Sequence, residues 1–515
     1  MNTLNQKPYE KRWYVLGVMC LVLFIISIDN TVLNLALPSI SKSLGATASQ
    51  LQCVVDAYTL IFASMLITTG VVGDRYGRKR LLTLGLILFG FGSLGAALST
   101  STGLLIGFRL LLGLAGAMVM PSTLSILTNV FRDDKERARA IAIWASIFSI
   151  GAGIGPLIGG LLIDSFGWAS AFYLNLPIVI ICLFGVTRVV PESKDTSAPK
   201  PDLLGVLLSM VGLMALIFGV IRAGESGWTS QVVLISVGVA VVFLSAFIWW
   251  ENHSTNPMLP LEFFKNMSFT GANAGLTISS FAMMGSIYFF SQYFQSVQGY
   301  SPLIAALMML PMTPAVFLST MGSVRVNAHL GTKMTMSLGL LLSGLGLFIF
   351  SRFAGIDAPY GYVLLAILIL GIGIGFTVSP ATNSVMSSLP PNRAGIGSAM
   401  NDTTRQLGGA LGVAVLGSLM NGTYRAEVDQ LSGTVGVSTN LLEQIRSSIQ
   451  SAHLIAAKLD AALASLVIRT SSQAFVDGMK ETLFIACIVM VIAAAAAWRI
   501  LPEKEAVIYQ SAGDN

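Results

Sequence analysis

Hydrophobic residues fall along this chain in long blocks, each near the roughly 20 residues that a helix needs to cross about 30 Å of hydrocarbon. Short stretches of glycine, proline and charge separate them. The blocks predict fourteen helices, over 13–36, 51–72, 81–98, 104–130, 140–163, 169–190, 203–221, 232–250, 269–294, 303–326, 334–353, 360–378, 396–420 and 483–501. The first block follows Lys7, Lys11 and Arg12 as a signal peptide would. It is long enough to span, however, and shows no small-x-small cleavage site before Asp29, so it reads as a retained helix. The fold class expected is all-α and integral to a membrane.

Composition agrees. Of 515 residues, 54% are hydrophobic and 11% charged, with a mean hydropathy of +0.76. A soluble chain carries charge on about a quarter of its residues, so the water-facing surface of a globular protein is missing. The net charge of +5 would suit an acidic partner, but its distribution along the fourteen-helix path says otherwise. Of 30 Lys and Arg, 20 fall in segments on the side of the N-terminus. The short loops of the other side hold Lys42, Arg222 and Arg352, and the long segment 421–482 holds five more, which weigh little because long loops translocate regardless of charge. Both termini are therefore expected in the cytoplasm, and nucleic acid is not an expected partner. The four cysteines, Cys20, Cys53, Cys182 and Cys487, lie widely spaced in or beside apolar runs and read as small buried hydrophobes.

The order of helices reads as a repeat with an insertion. GDRYGRKR at 73–80 joins the second and third helices, and NAHLGTK at 327–333, a weaker version of the same turn, joins the second and third helices counted from the ninth. Residues 1–190 are expected to form one six-helix half and 269–515 the other, with 191–268 a linker of two further helices. Internal repeats with a site at their interface are the usual build of secondary transporters. Within 421–482, the stretch 441–468 has no Gly or Pro and spaces its apolar residues at three and four, which predicts an amphipathic helix outside the membrane.

Few residues can carry chemistry. Asp29, Asp56 and Asp402 are the acidic residues placed well inside predicted helices. A charge there costs about 2.5 to 3.5 kcal/mol even on the lenient insertion scale, so each needs a reason. At 1.5 Å per residue, Asp29 lies about 24 Å up the first helix, while Asp56 and Arg109 lie about 8 Å below the outer ends of theirs, all in the outer third. Two carboxylates and a guanidinium sharing a partly wet cavity would make a proton switch; a static Asp–Arg pair that fixes helix packing is the alternative. Similar depth suggests that Asp56 and Arg109 pair. Asp402 and Arg405, three apart, share a helix face and are expected to neutralise one another. Gly151, Gly155 and Gly159 form a small-residue stripe beside Pro156 and Gly160, which would let another helix approach closely. Tyr288, Phe289, Phe290, Tyr293 and Phe294 read as an interfacial belt or as a wall for a cationic substrate. GFGSLG at 90–95 has dinucleotide-loop spacing but lies in an apolar helix with no strand before it, and no phosphate-binding GxxxxGK[ST] loop occurs. His253, His329 and His453 all fall outside the predicted spans, so no metal or other cofactor is expected, and no enzyme activity.

Four motifs together are specific enough to name a family. IDNTVLNLALP at 28–38, GDRYGRKR at 73–80, RLLLGLAGAM at 109–118 and GAGIGPLIGG at 151–160 resemble the motifs of the drug:proton antiporters of the major facilitator superfamily, in its fourteen-helix branch of quaternary-ammonium and multidrug exporters. The resemblance covers nearly the whole chain and implies a monomer in the bacterial inner membrane that exchanges protons for lipophilic small molecules. It implies coupling roles for Asp29 and Arg109 and a conformational latch formed by Gly73, Asp74, Arg75, Gly77 and Arg78. It also implies that Gly155 and Pro156 set the antiport geometry. Some exporters of divalent cations in this branch carry an acidic residue in the tenth helix and adjacent ones in the thirteenth. Here 303–326 has none and the thirteenth has Asn401, Asp402 and Arg405, which points to monovalent cations or neutral drugs. Export of an endogenous lipid, antibiotic or siderophore is the nearest alternative, and proton-coupled uptake a more distant one.

Overall fold

The computed structural model describes residues 10–194, 202–254, 257–432 and 439–502, and every regular element among them is helical. The N-terminal elements are α1 (Arg12–Leu44), α2 (Ala48–Tyr76), α3 (Arg78–Ala97), α4 (Thr102–Val130), α5 (Asp134–Phe166), a single turn α6 (Ser170–Tyr173) and α7 (Asn175–Val189). The α6–α7 step interrupts one predicted helix because Pro177 has no N–H to offer the carbonyl of Tyr173. Then come α8 (Leu203–Ser226) and α9 (Gln231–His253). The rest are α10 (Met267–Gln292), α11 (Pro302–Met309), α12 (Met312–Phe353), α13 (Tyr360–Ser387), α14 (Ala394–Val428), α15 (Thr439–Ser447), α16 (Ile449–Ala456) and α17 (Ala461–Ile500). Several starts are capped by side chains visible in the sequence. Thr47 and Gln50 form a reciprocal capping box on α2, and Ser101 and Asp133 cap α4 and α5.

Among the described residues, twelve helical stretches are long and apolar enough to cross a membrane. The fourteen expected from the sequence are not reached by that measure, for two reasons. Residues 302–353 count once although Gly331 breaks the helix inside them, at φ 77° and ψ 166°. The α14 helix is not counted because Asn401 to Gln406 put six consecutive polar residues in its middle.

Neighbours in the bundle follow from close contact. In the first part of the chain α4 packs on α2 and α3, and α1 on α5 and α7. In the last part α12 packs on α13 and α17, and α10 and α17 on α14. The two parts meet where α14 lies along α2 and α4, and where α5 lies along α12 and α13. The α8 and α9 pair lies to one side, with α8 against α2 and α14. Outward-facing residues of α9, including Leu234, Ile235, Val242 and Trp249, are apolar and exposed, as a lipid-facing helix requires.

The segment 421–482 differs from its expected form. In place of one amphipathic helix, the chain breaks twice. Ser448 is extended (φ −173°, ψ 159°) and caps α16, and Asp460 caps α17, which then runs unbroken into the last span. Both caps accept from the backbone N–H three residues on, a competing local bond that apolar spacing does not register. The α15–α16 pair is anchored, with Leu442, Ile445, Ile449 and Ala452 buried. Tyr424 donates to the Ile445 carbonyl, Arg446 pairs with Asp429 and Glu443, and Gln450 bonds Gln292 and Ser296 at the end of α10. Excision of 439–456 with a short Gly/Ser bridge is therefore expected to leave a protein that inserts and folds, since no span is cut. The check is the yield of monodisperse protein in detergent; loss of insertion would show that α15–α16 is needed to build the bundle.

Candidate functional site

The GDRYGRKR turn ends α2 and begins α3. Gly77 takes φ 121°, a conformation that L side chains rarely adopt, so the chain reverses without a loop. That reversal lays Arg78 back on Asp74, one helical turn earlier. Arg78 Nη2 lies 2.6 Å from Asp74 Oδ1 and Nε donates to the same oxygen at 2.8 Å; both side chains are buried. Asp74 also accepts from the backbone N–H of Gly395 (2.9 Å) and Ile396 (3.3 Å), the first amides of α14. A carboxylate on free N–H groups at a helix start is favourable both as a hydrogen bond and against the helix dipole. Arg78 Nη2 reaches the carbonyls of Pro391 (3.1 Å) and Asn392 (3.2 Å), just before that helix. Asn129 donates to Pro391 as well, and Arg137 to Ser387. This end of α2, α4 and α5 is thus bonded to the end of α13 and the start of α14. Gly73 allows Leu81 close, and Arg75 is half-buried beside the cluster. Glu192 was not foreseen. It accepts from the Lys79 N–H at 3.1 Å and so holds the start of α3, where a side chain on Gly77 would strike it.

The second polar cluster sits toward the other end of α1. Arg109 Nη1 lies 2.8 Å from Asp29 Oδ2, with Asp29 and Arg109 3% and 1% exposed. Arg109 Nε donates to the Val54 carbonyl, and its guanidinium stands 4.4 Å over the Tyr58 ring. Asn175 donates to Asp29 Oδ1 (3.0 Å) and to Ser93 (3.1 Å). Five helices, α1, α2, α3, α4 and α7, therefore close on one ion pair. The ion pair that Arg109 forms is with Asp29, not with Asp56 as similar depth suggested; rotation around the helix axes decides the partner, and depth does not carry it. Asp56 is buried on α2 two residues before Tyr58. Helices α2 and α4 pack closely beside the pair. Gly113 makes this possible, since a Cβ there would lie 2.5 Å from the Tyr58 carbonyl oxygen. Tyr58, Ser93 and Asn175 escaped notice because neutral polar residues are common in these apolar runs and carry no periodic signal.

The glycine stripe of α5 lies on α1. A Cβ on Gly151 would meet Ser27, one on Gly155 Thr31, and one on Gly159 Val32, whereas Gly160 has open space beside it. The Pro156 side chain lies outside the described residues.

Asp402 and Arg405 do not pair. Asp402, 2% exposed, accepts from Asn401 at 3.1 Å through one oxygen, while Asn401 in turn accepts from Thr382. Arg405 points across the bundle, with its guanidinium 5.2 Å from the Phe148 ring of α5. Helical spacing puts both on one face, yet each side chain meets a different neighbour.

The aromatic group is packed into the bundle. Phe290 and Tyr293 pack edge-on against Phe350, and Phe294 lies against Tyr300 and Tyr360. Tyr293 donates to the Gly355 carbonyl at 2.9 Å, and all three of these α10-end rings are buried, with Tyr288 half-buried. A π-turn over Tyr293–Val297 follows α10, and the rings on both sides of this junction lie on α12 and α13. The described residues contain no group of three or more His, Cys, Asp or Glu that could hold a metal.

The sequence model of the Major Facilitator Superfamily matches residues 19–413. Over 485 residues, 94% of this chain and 95% of the other, the protein is 34% identical to the multidrug efflux pump LfrA of Mycolicibacterium smegmatis. It is 32% identical over 497 residues to the multidrug resistance protein Stp of Mycobacterium tuberculosis, with 93% and 90% covered. Among solved structures, the proton:xylose symporter XylE shares the fold, with a TM-score of 0.61 at 13% identity and 96% of each chain covered. With its motifs, its helices and these relatives in agreement, the chain belongs to the Major Facilitator Superfamily, in its drug-efflux family.

Proposed function

We propose that the protein is a proton-coupled antiporter that exports hydrophobic, cationic drugs or toxic compounds across the bacterial cytoplasmic membrane by alternating access. The relatives' names as multidrug pumps support export. The observation that carries coupling is the buried Asp29–Arg109 pair, a carboxylate whose charge is held by one guanidinium inside a helix bundle. Protonation of Asp29 would release Arg109, and the five helices gathered on the pair would feel it. Phe148 links this cluster to Arg405. Its ring carries the guanidinium and its carbonyl accepts from Ser27, two residues before Asp29.

The chain reads as fourteen spans, with both termini in the cytoplasm. Gly331 divides 302–353 into two, and α14 is a span whose polar middle faces protein. Gly331 occupies the place in NAHLGTK that Gly77 occupies in GDRYGRKR, and both take positive φ. That match supports residues 1–190 and 269–515 as repeated halves, with 191–268 between them. The reciprocal contacts of α2 with α14 and of α5 with α12 support it too. On this reading the Asp74–Arg78 cluster latches the halves on the cytoplasmic side.

The test is efflux of ethidium from cells expressing the protein. Extrusion is expected to stop within the time that an uncoupler takes to collapse the proton gradient. Extrusion that continues at its former rate would remove proton coupling from the proposal.

A further inference from the structure

We infer that the central site on α14 takes amphoteric aromatic cargo, a compound that presents a cationic group to Asp402 and an acceptor, such as a carboxylate, to Arg405. The inference rests on the export reading and adds to it a cargo class and the residues that would recognise it. Ser398, Asp402 and Arg405 stand at i, i+4 and i+7, so they form one stripe along the helix. Each keeps a buried polar atom with no hydrogen-bond partner among the described residues: Ser398 Oγ, Asp402 Oδ2 and Arg405 Nη1. Such atoms occur elsewhere among the described residues, Thr403 Oγ1 of the same helix included, but here two of the three belong to oppositely charged groups on one face, where an unmet partner costs most. Two of them have opposite charge and are not paired with each other, which leaves an acceptor and a donor about one turn apart.

Position agrees with this. The stripe continues upward from Gly395, whose N–H holds Asp74 at the latch, and Arg405 lies about 15 Å above it, near the middle of a hydrocarbon layer about 30 Å thick. Gly395 and Ala399 touch Gly70 of α2, so this side of α14 faces the first part of the chain, and Arg405 spans to Phe148 on α5. A planar guanidinium over an aromatic ring offers a flat shelf on which a cargo ring can stack. A purely cationic cargo would satisfy Asp402 and leave the Arg405 charge facing it unfavourably. An amphoteric one satisfies both.

Rhodamine 110 and its methyl ester, rhodamine 123, differ by one carboxylate and serve as matched probes. Binding to the purified protein is read by fluorescence anisotropy, and export by dye release from expressing cells. The free acid is expected to bind the natural chain more tightly than the ester. Arg405→Gln is expected to weaken the acid about tenfold, the loss of one charge-assisted hydrogen bond, while the ester changes less than about twofold. Arg405→Lys keeps the charge and is expected to retain the preference for the acid, which a merely structural arginine would not explain. Asp402→Asn is expected to weaken both dyes. Equal weakening of acid and ester by Arg405→Gln, or no preference for the acid in the natural chain, would overturn the inference while ester export leaves the efflux reading intact. Failure of the natural chain to export the ester would overturn both.

Discussion

Asp29→Asn is expected to abolish uphill, proton-driven export from a protein that still inserts and folds. The amide keeps the shape of the carboxylate and its contact with Asn175, and Arg109 keeps the Tyr58 ring and the Val54 carbonyl. What is lost is the group that takes up and releases a proton. Arg109→Ala is expected to be worse for stability, because it leaves the Asp29 charge buried with no cation. Breaking a buried pair from one side costs about 3 to 5 kcal/mol, whereas removing both charges often costs much less. The double change, Asp29→Asn with Arg109→Ala, should therefore be more stable than Arg109→Ala alone. Unfolding in mixed micelles, run as a double-mutant cycle, measures the coupling; strictly additive effects would deny the pair an energetic role. Concentrative export by Asp29→Asn at the natural rate would deny Asp29 its part in coupling.

Turnover is where Asp74→Asn is expected to act. Its carboxylate holds Arg78 and two backbone amides of α14 in a buried cluster, and a neutral side chain leaves Arg78 without its counter-charge. On the proposed alternating-access cycle, the bonds from Asp74 to α14 would hold while this end of the bundle is closed and break as it opens. Their loss raises that state relative to the open one, and a shift of about 3 kcal/mol changes the ratio of the two states by more than a hundredfold. Binding of substrate in the middle of the bundle is touched little by comparison. The expected result is slow export with near-normal dye affinity, and greater labelling of cysteines placed at the ends of α2 and α14. Normal turnover with reduced affinity would move Asp74 from latch to binding site.

The two polar clusters were legible in the sequence to different degrees. GDRYGRKR announces itself, since four basic residues and an acid at a helix junction have no packing purpose in lipid. That Asp74 would cap α14, more than 300 residues away, has no trace in the local pattern, because nothing at Gly395 or Ile396 except a backbone N–H takes part. Asp29 and Arg109 stood out by the cost of burying charge. Their supporting residues did not, for a serine, an asparagine and a tyrosine are tolerated almost anywhere along a membrane helix. Asp402 and Arg405 were found for the same reason as Asp29, but helical spacing does not reveal that the bonded partner of one is Asn401 and that the other lies over Phe148.

Where hydrocarbon is the solvent, backbone groups must bond internally, so apolar length dictated a helical fold, while breaks such as those between α6 and α7 and between α11 and α12 were not marked by it. Loop charge set the expected orientation, and glycine spacing marked the faces where helices would touch. All of these are properties of a few neighbouring residues. Which helices meet, and therefore which charge finds which partner, belongs to the bundle as a whole. Arg109 chose Asp29 over Asp56, the α10 aromatics packed into the core beside a π-turn, and 441–468 broke at two caps to dock on α10. In each case the deciding contact joins or reorients elements that no local period connects, and only their packing fixes the distance and rotation between them.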